Sequence, residues 1–167
     1  MPASAQSPPA TFPNRPVRLI MPYPAGGSVN DVLGRALAQR LGEALGQQVI
    51  FDNRSGAGGT VGTELVSKSP ADGYTLLLAT TGPMTIAPFV YQKLGYDPLR
   101  DLTPVALVAI APYIFVVHPS VPAKNLQELI ALAKRRPGEL LFASAGTGST
   151  PHLCTELVMS MTGIKMI

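Results

Sequence analysis

Residues 17–45 read VRLIMPYPAGGSVNDVLGRALAQRLGEAL. Val17, Leu19, Ile20 and Met21 form an apolar run of strand length. Pro22 and Pro24 end it, because a proline nitrogen has no hydrogen to give to a ladder. Gly26 and Gly27 then permit a sharp turn and leave backbone N–H groups uncovered. Ser28 is placed to cap a helix, and Asp31 to occupy its first turn. Val32, Leu33, Ala36, Leu37, Leu41 and Leu45 recur at helical spacing, and Gly46 stops the run. A strand delivered through bare glycines to a helix N-terminus makes an anion site, since oriented N–H groups and the positive end of the dipole converge there.

The same grammar recurs downstream. Gln48–Asp52 reads as a second strand, Asn53–Gly59 as a second glycine-rich bend, and Thr60 as the cap of a helix carrying Val61, Leu65 and Val66. Tyr74–Ala79 is a third strand, continuous enough to be buried on both faces, and Thr80-Thr81-Gly82-Pro83 is a polar bend at its carboxyl end. The order β-α-β-α-β specifies an α/β fold with a parallel sheet. Met84–Tyr91 reads as a short helix, and Val105–Ile110 and Tyr113–Val117 as two strands. Asn125, with Glu128 at the capping-box position, opens a helix with Leu126, Leu129, Ile130 and Ala133 on its apolar stripe. Leu140–Ser144 is a strand, 145–149 a third glycine-rich bend, and Thr150, Pro151 and His152 open a last helix with Leu153, Leu157, Val158 and Met161 on its face. Ile164–Ile167 begins a further strand, so the chain reads as truncated, with a second sheet begun and left incomplete.

Composition narrows the chemistry. In 167 residues, 46% hydrophobic and 14% charged, the chain is globular and long enough for a sizeable core. A net charge of +3, the absence of Trp and the few other aromatics argue against a nucleic-acid face. Cys154 is alone, which excludes a disulfide framework and reads as a small core residue. No apolar run reaches transmembrane length. Pro2-Ala3-Ser4-Ala5-Gln6 has a small-x-small pattern, so residues 1–13 read as the remnant of a secretory signal or as a Pro/Ala/Ser leader.

Reaction chemistry finds no foothold. Gly56-x-Gly58-x-x-x-Gly62 departs from the dinucleotide spacing, and the following strand ends in Ala79-Thr80-Thr81 with no carboxylate for a ribose. Ser144 lacks the first glycine of a nucleophile elbow. His118 and His152 have no acidic neighbour in sequence to orient them, so no catalytic residue is assigned. No spacing suggests a metal, and no cofactor is expected. Three bends, at 24–31, 53–60 and 144–151, offer neutral N–H groups, hydroxyls and helix dipoles, which suit a bound carboxylate better than proton transfer.

Residues 12–166 resemble the periplasmic solute receptors of tripartite tricarboxylate transporters, the Bug proteins. The resemblance is carried by RPVRLI at 15–20, PYPAGGS at 22–28, NRSGAGGT at 53–60 and DGYTLL at 72–77. PVALV at 104–108, HPSVPA at 118–123 and ASAGTGS at 143–149 continue it. It implies a two-lobed periplasmic-binding-protein fold (type II, a Venus flytrap) whose second lobe is incomplete here. Lobe 1 would take 14–110 and lobe 2 would take 111–167, with the bends at 24–31 and 145–149 facing each other across a cleft. The implied ligand contacts are Tyr23, Ala25, Gly26, Gly27, Ser28, Thr80, Thr81, Ser144, Ala145, Gly146, Thr147, Gly148 and His152. The family's aspartate position falls on Asn30 or Asp31. The implied function is capture of a small organic carboxylate for membrane permease subunits, by a monomer in the periplasm that neither enters the membrane nor binds nucleic acid. The alternative is a small α/β enzyme using the same bends for a phosphate or acyl group.

Overall fold

The computed structural model describes residues 12–26 and 28–167. The leader reading at 1–13 therefore lies almost wholly outside the described residues, as does Gly27. The chain divides into two compact units between Thr80 and Thr81.

The first unit runs β1 (Val17–Met21), α1 (Val29–Leu45), β2 (Val49–Asn53), α2 (Thr60–Ser67) and β3 (Thr75–Leu77). The three strands form a parallel sheet in the order β2-β1-β3, with Val17 opposite Val49 and Arg18 opposite Thr75. The most apolar strand takes the centre: Val17, Leu19, Ile20 and Met21 are almost completely buried. Enclosing each such side chain is worth about 1.5–3 kcal/mol. Because strand side chains alternate, Leu19 and Met21 share one face, where they pack with Ala38 of α1, Leu78, Phe51 and Leu76. Ile20 points the other way, and α2, which lies against β1 and β3, covers that side.

The packing face of α1 is narrower than its leucines suggest. Asp31, Gly34 and Ala38 are its buried residues, whereas Val32 is exposed. Gly34 makes the difference: a Cβ there would meet the Phe51 ring at 2.3 Å, so only a bare Cα lets α1 settle onto the sheet. Ser28 caps α1 as expected, its Oγ accepting from the Asp31 amide at 3.2 Å, and Gly46 ends it in a left-handed conformation. Thr60 departs from expectation. It is the first helical residue of α2, and its hydroxyl donates to the Ala57 carbonyl inside a short 3-10 turn over Ala57–Gly59.

The second unit begins with a wide helical turn, Gly82–Ile86, that runs into the short α3 (Ala87–Val90). Tyr96 is buried and its hydroxyl donates to the Pro83 carbonyl at 2.7 Å. α4 (Leu126–Arg135) opens on the expected cap: Asn125 Oδ1 accepts from the Glu128 amide at 2.9 Å, and Glu128 accepts in return from the Lys124 amide at 2.8 Å. Of its expected stripe Ala133 is buried and Leu126 exposed, with Leu132 buried instead. α5 (Thr150–Thr162) ends at Gly163. The segments on either side of α5 lie parallel: Gly138 N–H donates to Lys165 O, Ile167 N–H to Leu140 O, and Phe142 N–H to Ile167 O, at 2.8–2.9 Å. Neither Leu140–Ser144 nor Ile164–Ile167 is itself a strand, so the expected second sheet is represented only by these three bonds.

Two further expectations fail here. Val105–Ile110 and Tyr113–Val117 form no strands. Among the described residues the backbone of 104–117 makes no backbone–backbone hydrogen bond, and Val105, Leu107, Ile110, Ile114 and Val116 are exposed. β-branched composition fits a pleated surface but does not supply the neighbouring strand that a ladder needs. On α5, Leu157 and Met161 are exposed, and Thr155 is the buried residue, its hydroxyl donating to the Pro151 carbonyl.

Candidate functional site

The first bend leaves β1 at its carboxyl end, beside the point where the sheet order reverses between β1 and β3, which is where open α/β sheets bind ligands. Its amides remain available: those of Ala25, Gly26, Ser28, Val29 and Asn30 donate no hydrogen bond among the described residues. Ala25, Gly26 and Ser28 are exposed, and Asn30 is half-buried. Asp31 is buried, and its carboxylate accepts from Arg35 Nε at 3.2 Å and from Asn53 Nδ2 at 3.1 Å. Asn30 and Asp31 are thereby distinguished. Asp31 faces its own scaffold and complements the α1 dipole, while Asn30 stands in the open first turn.

Tyr23 is tied into the same corner. Its hydroxyl donates to the Gly58 carbonyl of the second bend at 3.2 Å and accepts from Thr80 Oγ1 at 3.3 Å. The strand ends of β1, β2 and β3 are thus joined by one phenol. The second bend serves packing. Within the helix it feeds, a Cβ on Gly62 would lie 2.5 Å from the Arg54 carbonyl and 2.9 Å from Pro22 Cα, so the glycine there permits close approach of backbones.

The third bend, in the second unit, is more open chemically. Ser144 Oγ accepts from the Gly146 amide at 3.2 Å, and the Ser149 amide donates to the Gly146 carbonyl. The amides of Thr147, Gly148, Thr150 and His152 donate no hydrogen bond among the described residues. No acidic residue stands in the first turn of α5 to offset its positive end. Ser149, at the cap position, is fully buried, and its Oγ has no hydrogen-bond partner and makes no capping bond. Tyr91 holds the bend from outside, donating to the Thr147 carbonyl at 2.8 Å. Its ring would lie 3.1 Å from a Cβ on Gly148, whose φ of +79° already demands glycine.

His152 does have an acidic neighbour, contrary to the sequence expectation: Glu156, one helical turn on, lies 3.7 Å from Nε2. The separation exceeds a hydrogen bond. Nδ1 is buried without a partner, as is Ser149 Oγ, so the two are not bonded to each other and form no nucleophile–base pair. Thr81 stands at the start of the second unit, where its carbonyl accepts from Thr85 Oγ1. Among the described residues no group of three or more His, Cys, Asp or Glu could hold a metal, and no helix is long and apolar enough to cross a membrane.

Asn53 and Ser149 lie inside the bends expected at 53–60 and 144–151 without being singled out by the sequence, and Tyr91 lies outside all three. Ser149 could have been found as the last hydroxyl before a helix that lacks an acidic first turn. Asn53 and Tyr91 act on residues far away in sequence and leave no local signal.

The chain is an α/β protein with turn amides that donate no hydrogen bond among the described residues, and comparison with known proteins gives its family. The family described as "Tripartite tricarboxylate transporter family receptor" matches residues 33–167, and the chain belongs to it. Protein BugT of Bordetella pertussis is 45% identical over 160 residues, covering 94% of this chain and 49% of that protein. Among solved structures, an R. palustris protein with adipate superimposes with a TM-score of 0.88 at 42% identity, over 93% of this chain and 52% of that one. MatC from Rhodopseudomonas palustris, with bound malate, gives 0.86 at 30% identity, over 93% and 53%. The periplasmic binding protein BugD gives 0.80 at 32%, over 93% and 52%. The chain therefore has the mixed α/β fold of periplasmic binding proteins of this type, and spans about half the length of the relatives it matches. The family is one of receptors rather than enzymes.

Proposed function

We propose that this chain carries carboxylate-gripping bends of a periplasmic receptor that captures a small organic carboxylate and presents it to the permease subunits of a tripartite transporter. The third bend supports the reading most strongly. A buried serine hydroxyl without a partner, four unpaired amides and the unopposed positive end of a 13-residue helix are concentrated in one loop. Each is a hydrogen-bond donor or a positive partial charge, and a carboxylate oxygen answers all of them. The first bend offers a second set of free amides at Ala25, Gly26, Ser28, Val29 and Asn30. Similar proteins have been solved with adipate and with malate, which makes dicarboxylates the first ligands to try.

On this reading residues 14–110 and 111–167 belong to the two lobes of such a receptor, which works as a monomer outside the cytoplasmic membrane. It binds no nucleic acid, in keeping with its mild net charge of +3 and lack of Trp, and performs no reaction, in keeping with the unbonded Ser149 Oγ and His152 Nδ1 at the third bend. A thermal-shift panel tests the reading. Adipate, malate or another di- or tricarboxylate raises the melting temperature, with about 2.7 kcal/mol of stabilisation at about a hundredfold excess over Kd, and nucleotides do not. Stabilisation by nucleotides alone would instead favour the enzyme alternative.

A further inference from the structure

Asn53 is the last residue of β2 and lies opposite Met21 in the parallel register. One strand later in space, the chain leaves Met21, passes Tyr23 and returns at Asp31 in the first turn of α1. The Asn53 amide nitrogen touches both ends of that excursion. Nδ2 donates to the Tyr23 carbonyl at 3.0 Å and to Asp31 Oδ1 at 3.1 Å. Its oxygen faces Arg35, whose Nη2 stands 3.5 Å away and also reaches the Asp31 carboxylate. The amide orientation is therefore fixed chemically. Reversing it would turn oxygen toward a carbonyl and a carboxylate, and NH2 toward a guanidinium.

An amide has two N–H bonds, and here each is spent on one shoulder of the same loop. Between those shoulders lie the residues whose own amides are unpaired. Apart from the Ser28 cap, which accepts from the Asp31 amide, the described amides of this loop donate to nothing, so its shape depends on what holds its ends. We propose that Asn53 is the positioning residue of the first bend: its NH2 group ties together the two ends of the Tyr23–Asp31 loop and keeps the free amides of Ala25, Gly26, Ser28, Val29 and Asn30 in a fixed array. No other residue type of this size can replace it. Aspartate has the same shape but no donor and would set a second carboxylate against Asp31, while serine and alanine cannot reach both shoulders. The inference deepens the receptor reading, in that the array it preserves is one of the carboxylate-binding bends.

Backbone amide relaxation on the chain itself tests it without any ligand. In the wild type, order parameters for Ala25, Gly26 and Ser28–Asn30 stand at about 0.8, and the Asn53 side-chain NH2 is equally rigid. In Asn53→Ala the bend falls below about 0.6, while Leu19 and Phe51 keep their wild-type values. Bend values unchanged in Asn53→Ala, or a side-chain NH2 that tumbles freely in the wild type, would overturn the proposal. The second observation needs no variant and so holds even if Asn53→Ala does not fold. Adipate affinity, measured in parallel, falls about tenfold in Asn53→Ala as pre-organisation is lost. A wild type that binds neither adipate nor malate counts against the receptor reading and leaves the relaxation result to decide the role of Asn53.

Discussion

Asp52 shows how a single side chain ties charge to stability. It sits at the end of β2 between two arginines: Arg18 Nη2 is 2.7 Å and Arg54 Nη2 3.1 Å from the same oxygen, Oδ2. The hydrogen bond from Arg18 is the largest influence holding its carboxyl below the ordinary aspartate value of 3.8, with Arg54 adding to it against the opposing effect of burial. A carboxylate whose pKa is depressed in the folded state stabilises the fold fully above its unfolded value, and that contribution disappears as pH falls through the folded value. Arg18→Gln therefore destabilises the chain at about pH 7 by no more than about 1 kcal/mol, since Arg18 is 41% exposed and Arg54 remains. The penalty falls away as the pH is lowered from about 7 through the depressed folded value of Asp52 into strong acid, where the protonated carboxyl no longer needs a partner. Urea midpoints of the two proteins at neutral pH and in strong acid check this, and a penalty undiminished in acid would show that Arg18 acts through packing instead.

At the scale of elements, the seating of α1 on the sheet depends on a missing methyl group. Gly34→Ala places a Cβ inside contact distance of Phe51 Cε2 and Cζ, at 2.3 and 2.5 Å, and 3.0 Å from Leu78. The ring is partly buried and packs against the core cluster, so displacing it disturbs that packing. The gain in helix propensity from alanine, about 1 kcal/mol, is outweighed by an overpacking cost of about 1–3 kcal/mol plus displacement of α1. Chemical denaturation of Gly34→Ala is expected to show a net loss of stability, and a gain would mean that α1 sits farther from β2 than described. The same helix marks how far the sequence could be read. β1, β2, the Ser28 and Asn125 caps, and the stops at Gly46 and Gly163 were legible, because each is a local pattern of donors, acceptors and apolar residues. The buried face of α1 was legible only in part: Leu37 of the expected stripe packs against the core, but the buried positions are Asp31, Gly34 and Ala38, which carry little hydrophobic signal. The clasp by Asn53 and the brace by Tyr91 span 30 and 56 residues, and no window along the chain contains both partners.

For the whole molecule, the parallel β-α-β plan and the family were both readable, since seven short motifs in order preserve a topology even where no single one does. What failed was the stretch 104–117, read as two strands but lacking ladder bonds among the described residues, with nine large hydrophobic side chains exposed. Apolar runs state a need for a neighbour and are silent on which part of a fold supplies it. The site is less affected, because the third bend carries its chemistry within the eight residues from Ser144 to Pro151 and the helix that follows.

The central claim is that unpaired donors at the start of α5 hold a carboxylate, and an amide correlation spectrum of the isotope-labelled chain titrated with adipate addresses it directly. Saturable shifts at Thr147, Gly148, Thr150 and His152 are the predicted result. A spectrum in which these four amides stay in place while adipate saturates the protein elsewhere, or does not bind it at all, would contradict the account.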